Sequence, residues 1–239
     1  MRRRHPGNTN LTYHHSGPWN GYEVQLQRGP LFIPYLERIH QTMQRAIHSQ
    51  ASTMAVRVDL MLPANGYVRG GSWVPSFIKS LQSQVNIDME RRRRKSRWAP
   101  TVKIEYVVVR ERVVGKQAHY HVCLFLHGES YRGLGAMPAG RGSGGASFDP
   151  DVPGDPRAEQ ADSLAKKIVT AWARALGWTM GEAVGLVHFP VGGVYRLRRS
   201  GVGFEATEAG LFNRLSYLAK AESKEFGQGC RNILYSRGG

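Results

Sequence analysis

Apolar residues recur with two different periods along this chain. From "PLFIPYLERIHQTMQRAIHS", Leu31, Tyr35, Leu36, Ile39, Met43 and Ile47 repeat at helical spacing, which predicts a helix over 31–49. "MAVRVDLML" (54–62) then alternates: Ala55, Arg57, Asp59 and Met61 on one side, Val56, Val58, Leu60 and Leu62 on the other. That is the pattern of a half-buried strand. "WVPSFIKSLQSQVNIDMERRRRKS" (73–96) returns to the helical period through Phe77, Ile78, Leu81, Val85 and Met89, with Pro75 suited to a first turn.

"TVKIEYVVVRERV" (101–113) and "AHYHVCLFLH" (118–127) are β-rich and read as a hairpin with Gly115 at its tip. Residues 159–177 form a helix stopped by Gly177, residues 183–191 and 193–199 two strands joined by a tight Gly-Gly turn, and residues 206–224 a last helix. Residues 1–28 are polar and rich in Gly, His and Asn, as expected of a loose N-terminal arm. The stretch 128–157, rich in Gly and Pro, is expected to be a flexible loop.

In order, the middle of the chain reads β-α-β-β-α-β. The expected class is therefore α+β: an antiparallel sheet with a ferredoxin-like or RRM-like core, helices on one face, and extra N- and C-terminal helices. The working domain would be residues 29–239, with the second sheet face left open for nucleic acid or a site.

Charge sharpens this picture. The 239 residues carry 33 Lys+Arg against 18 Asp+Glu, a net +15, which points to a polyanionic partner. Two cysteines, Cys123 and Cys230, make no disulfide framework and fit no zinc motif. No signal peptide or membrane-length apolar segment is visible, so a cytoplasmic location and no membrane partner are expected.

The hairpin holds the candidate chemistry. With residue 115 at the turn, partners sum to about 230, so Glu111 lies opposite His119. Side chains alternate along a strand, so His119, His121, Cys123 and Phe125 share a face. Opposed β-carbons are roughly 5 Å apart, and Glu111 therefore joins the two imidazoles. Two His and a carboxylate make a divalent-metal site with open positions, for Mg²⁺ or Mn²⁺. Read blandly, they are two solvent-facing histidines hydrogen-bonded to a glutamate.

On the last helix, Tyr217, Lys220 and Lys224 fall at i, i+3 and i+7, with Asn213 one turn before. A tyrosine hydroxyl is a weak nucleophile at its ordinary pKa near 10, and adjacent lysines can both activate it and hold phosphate charge. With a metal to polarise a phosphoryl oxygen, these are the parts for transesterification of a phosphodiester. Lys224 and Asn213 are candidate DNA contacts. So are Arg57, which could equally pair with Asp59 on its strand, and Arg91, Arg92, Arg93 and Arg94, which equally suit a helix C-terminus. Trp73, Trp98, Trp172 and Trp178 are expected in the core or at hinges rather than as base-stacking platforms.

"HYH" before an apolar strand and "YLAK" resemble the His–hydrophobic–His and Tyr-x-x-Lys motifs of HUH endonucleases. Within that group, "VRVDLMLP", "VVRE", "HYHVCLFL", "AWARALG", "GLVHFP", "LSYLAK" and a final "SR", in this order, resemble replication proteins of filamentous-phage (inovirus) type and prophage YagK/YfjJ-like proteins. The resemblance covers about residues 31–237. It implies a rolling-circle replication initiator that nicks one strand, keeps the 5′ phosphate on tyrosine and later rejoins the circle. His119, His121 and Glu111 would then be metal ligands, Tyr217 the single nucleophile and Lys220 its assistant. The partners implied are single-stranded or hairpin origin DNA with a host helicase and polymerase, since no GxxxxGK[ST] loop is present. The other reading is an RRM-like protein that binds nucleic acid without cutting it.

Overall fold

A computed structural model describes residues 4–63, 73–95, 98–112, 118–138, 163–222, 224, 226 and 231–238. The hairpin tip at Gly115, Cys230, the start of the predicted helix at 159–162 and most of the predicted loop (139–157) lie outside them.

The elements run β1 (Arg4–His5), β2 (Asn8–His14), β3 (Leu31–Phe32), α1 (Ile33–His48), β4 (Ser52–Met61), α2 (Trp73–Lys95), β5 (Glu105–Glu111), β6 (His119–His127), α3 (Leu164–Leu176), α4 (Met180–Ala183), β7 (Val187–His188), β8 (Val194–Arg198), α5 (Phe204–Ser216) and β9 (Ile233–Tyr235). The main sheet is antiparallel in order β7-β4-β6-β5-β9, with β8 also on β4. The expected α+β class holds. α2 returns the chain so that β5 runs parallel to β4, and β6 inserts between them, which is the split βαβ arrangement.

β7 and β8 correct one expectation. They are not a hairpin: both pair with β4, β7 at Asp59–Leu60 and β8 at Ser52–Val56. They form one interrupted edge strand, looped out at 189–193. Gly193 makes the loop possible. A β-carbon there would lie 2.7 Å from the Pro190 carbonyl oxygen, while the Gly193 carbonyl accepts from Arg57 N at 2.8 Å.

The two sheet faces have different covers. Val56, Val58 and Leu60 of β4 and Tyr120, Val122 and Leu124 of β6 pack under α2 and α3. Ala55, Val107, Cys123 and Phe125 on the other face pack under α1 and α5. Helices therefore lie on both faces, not one. An apolar Ala55–Cys123–Phe125 row cannot face water without cost, so the open area shrinks to the end that carries Glu111, His119 and His121.

The N-terminal segment also differs from the loose arm expected. β2 pairs with β3, and Leu11, Trp19 and Val24 are buried in the cluster with α1 and α5. Trp19 stacks on Phe212 of α5 at 5.5 Å. Three apolar anchors spread through a polar stretch suffice to dock it. Likewise, residues 128–138 of the predicted loop are held down: Gly128 N donates to Ser52 O, and Arg196 donates to the carbonyls of Gly128 and Tyr131. No described helix is long and apolar enough to cross a membrane.

Candidate metal centre and tyrosine

The β5–β6 register is the one the hairpin argument gave: Glu111 pairs with His119 and Val109 with His121. Strand alternation then brings three ligand atoms together. His119 Nε2 and His121 Nε2 are 3.2 Å apart, and Glu111 Oε2 lies 3.8 Å and 3.3 Å from them. Ligands about 2.1 Å from a common ion stand roughly 3 Å apart, so this set fits a divalent metal.

β4 supplies what the hairpin alone does not. Asp59 is the register partner of His121 and accepts from its Nδ1 at 2.6 Å. Holding Nδ1 on Asp59 turns Nε2 toward Glu111 and His119, so that Nε2 is the atom an ion would take, the usual arrangement behind a metal-ligating histidine. Arg57, two residues before on the same face, donates to Asp59 at 3.1 Å and to the Val122 carbonyl at 3.1 Å. Arg57, expected as a DNA contact, is instead buried behind the site, with its guanidinium committed to Asp59 and the Val122 carbonyl. Asp59 was the residue missed as a site member. Its signal was a charged Arg-x-Asp pair inside an apolar strand.

The tyrosine reaches this cluster by a route other than a continuous helix. α5 ends at Ser216, and Tyr217–Ala219 make one tight 3₁₀ turn. Lys220 then bridges Leu31, and Ala221 N donates to Pro30 O at 2.9 Å. The turn is thus clamped to β3. It sets the Tyr217 ring edge-on to His121, with centroids 6.0 Å apart. Lys220 Nζ donates to Tyr217 Oη at 2.6 Å and to Glu111 Oε2 at 2.9 Å.

Lys224 lies beyond the helix, so the expected i+7 spacing does not place it. It is still in the site, but buried: Nζ donates to Glu111 Oε1 at 2.7 Å and the side chain has no exposed surface. That excludes it as a surface DNA contact. Asn213 is also committed elsewhere. Its amide donates to Glu23 O at 3.1 Å, and its carbonyl accepts from Gln25, so it pins the N-terminal segment. Of the arginine run, Arg92 donates to Ser130 O and lies over the Tyr131 ring, and Arg93 donates to the carbonyls of Ala99 and Pro100. Arg91 and Arg94 are exposed.

The electrostatics follow from this packing. Burial raises the Glu111 carboxyl, but the hydrogen bond from His121 and the Lys224 charge outweigh it and hold it well below the usual range. Burial lowers His121, yet its bonds to Asp59 and Glu111 raise it overall. Burial and the neighbouring His121 keep His119 low, hence neutral and able to ligate. Burial pushes Lys224 down to about 8. Burial also lowers Lys220, but its bonds to Tyr217 and Glu111 prevail, so it stays an ammonium.

The chain matches the YagK/YfjJ C-terminal domain family over residues 15–234 and belongs to that family. It is 27% identical over 216 residues to Escherichia coli K12 uncharacterized protein YfjJ, covering 85% of this chain and 94% of that protein. To uncharacterized protein YagK of the same strain it is 28% identical over 216 residues, covering 86% and 93%. No solved structure matches it.

Proposed function

We propose that this YagK/YfjJ-family chain is a metal-dependent enzyme that nicks and rejoins single-stranded DNA through Tyr217, acting as a rolling-circle replication initiator. One observation carries the reading: Lys220 bridges Tyr217 Oη and the Glu111 oxygen that also closes the His119–His121 pair. A nucleophile, a cation and a ligand set converge within hydrogen-bond distance.

His119, His121 and Glu111 would hold the ion, Mg²⁺ or Mn²⁺. When bound, it would polarise a phosphoryl oxygen and balance the negative charge of the phosphate under attack. The chain's own residues do the rest. Tyr217 Oη gives its proton to solvent water and forms a bond to phosphorus. The P–O3′ bond breaks, and the leaving oxygen takes up a proton as a free 3′-OH. The 5′ phosphate stays on Tyr217. Lys220, already an ammonium donating to Oη, stabilises negative charge as it develops there. It is not a base in this state. Asp59 and Arg57 keep His121 in its ligating orientation. In the reverse step a 3′-OH attacks the phosphotyrosine and the strand is rejoined.

The test is Tyr217→Phe on single-stranded origin DNA with Mn²⁺. Wild type should give a covalent protein–DNA band and a nucleotide-bearing Tyr217 peptide by mass spectrometry. Tyr217→Phe should give neither, while binding DNA as tightly. An adduct formed by the phenylalanine variant would place the nucleophile elsewhere. One observation favours the second reading, a non-catalytic nucleic-acid-binding protein: Lys220 and Lys224 already balance Glu111 without an ion. Absence of metal-dependent nicking on cognate DNA would decide for it.

A further inference from the structure

We propose that Trp98 and the cationic end of α2 form a second contact for single-stranded nucleic acid, separate from the tyrosine site. Trp98 is 63% exposed, whereas Trp19 and Trp172 are buried and Trp73 and Trp178 half-buried. It does not sit in the core, one of the two places its sequence suggested. Its indole stands edge-on to His127, with centroids 6.4 Å apart. Arg93 fixes the stretch that follows through the Ala99 and Pro100 carbonyls. The ring is therefore held in place with most of its surface in water, at a cost that burial would remove.

The surroundings name the occupant. Arg91, Arg94 and Lys95 are exposed on the last turns of α2. Past His127 the chain lines a cleft of about 1060 Å³ whose walls carry Arg92, Lys95, Arg132 and Arg196. Its acids each face a cation: Asp88 is 3.4 Å from Lys167 and Glu129 is 3.5 Å from Arg198. A fixed aromatic ring beside cations that outnumber the acids suits an unpaired base stacked on the ring and phosphates on the arginines. Helix-dipole compensation accounts for a cation or two in the last turn, not for an exposed tryptophan beside them.

His119 and His127 begin and end β6, roughly 27 Å apart at about 3.4 Å per residue. α1 covers the sheet between them. The contact would hold a strand away from the cut, a use that rests on the nicking reading, although its test does not.

The experiment measures binding of a fluorescein-labelled oligo(dT) 20-mer without metal, in a Tyr217→Phe background so that no adduct forms. Trp98→Ala and the pair Arg94→Glu/Lys95→Glu should each weaken binding roughly tenfold. Trp98→Phe should keep most of the affinity but lose the quenching of intrinsic fluorescence that the parent shows. All are surface changes, and unaltered melting temperatures confirm the fold. Affinity within twofold of the parent for both Trp98→Ala and the charge reversal, or no binding by the parent, overturns the proposal. So does unchanged affinity accompanied by altered sedimentation, which would assign Trp98 to a protein contact. If wild type forms no adduct on origin DNA while Trp98→Ala still loses binding, the nicking reading fails and the second contact stands.

Discussion

Glu111 faces two imidazoles and two ammoniums, and its protonation links the site to stability. A carboxyl held below its ordinary 4.5 favours the fold at higher pH. That contribution is fully present above the unfolded value and is lost as pH falls through it toward the folded one. The metal-free protein should therefore lose stability progressively below about pH 4.5. Glu111→Gln should flatten this acid limb in melts in EDTA between about pH 5 and about pH 3. Near neutral pH the variant should be less stable, because buried Lys224 loses its counter-charge. Breaking a buried pair costs about 3–5 kcal/mol. Burial already holds Lys224 near 8, so it can shed its proton, which puts the loss at the low end. Urea melts of the two proteins measure it, and an unchanged acid limb would show that Glu111 does not carry this charge. The ligand trio was legible because hairpin register depends only on local pairing. Asp59 was not, because its place opposite His121 depends on a crossover through α2.

The hydrophobic period located α1, α2, β4, β5, β6 and β8 to within a few residues, but it gave no sign of β1, β2, β3, α4 or β9, read the helical 183–186 as strand, and misjudged the two elements that aim the tyrosine. The 206–224 pattern ran on past Ser216, where the chain leaves the helix to bridge Leu31. That stop is a tertiary contact with no signal in the local spacing. The N-terminal segment was hidden for a related reason: Leu11, Trp19 and Val24 are too few to make a periodic stripe, yet they pack against α1 and α5. α5 is held from this side by Tyr22 donating to Glu208 at 3.0 Å and Gln25 N donating to Ser216 Oγ at 2.9 Å. Trp19→Ala should thus cost about 3–5 kcal/mol, as for other buried aromatics. A loose arm would give no change. Chemical denaturation checks this directly.

Across the whole molecule, charge is the feature most plainly written in the sequence and least explained by the fold. Two expected DNA contacts are spent inside: Arg57 and Lys224 are buried. The net +15 nevertheless remains and must lie mostly on the surface. Binding to a polyanion releases counterions, so affinity falls with salt with a slope of roughly 0.7 per single-strand phosphate neutralised. Four phosphates, a reasonable number for the end of α2 and its cleft, predict a slope of about −2.8. Raising salt fourfold should then weaken oligo(dT) binding roughly 50-fold. Arg94→Glu/Lys95→Glu should make the slope shallower, whereas Trp98→Ala should lower affinity at every salt concentration and leave the slope alone, because stacking releases no ions. A titration series over salt separates the two. Equal slopes for all three proteins would mean that the α2 cations do not touch phosphate and that the surplus charge meets its partner on another face.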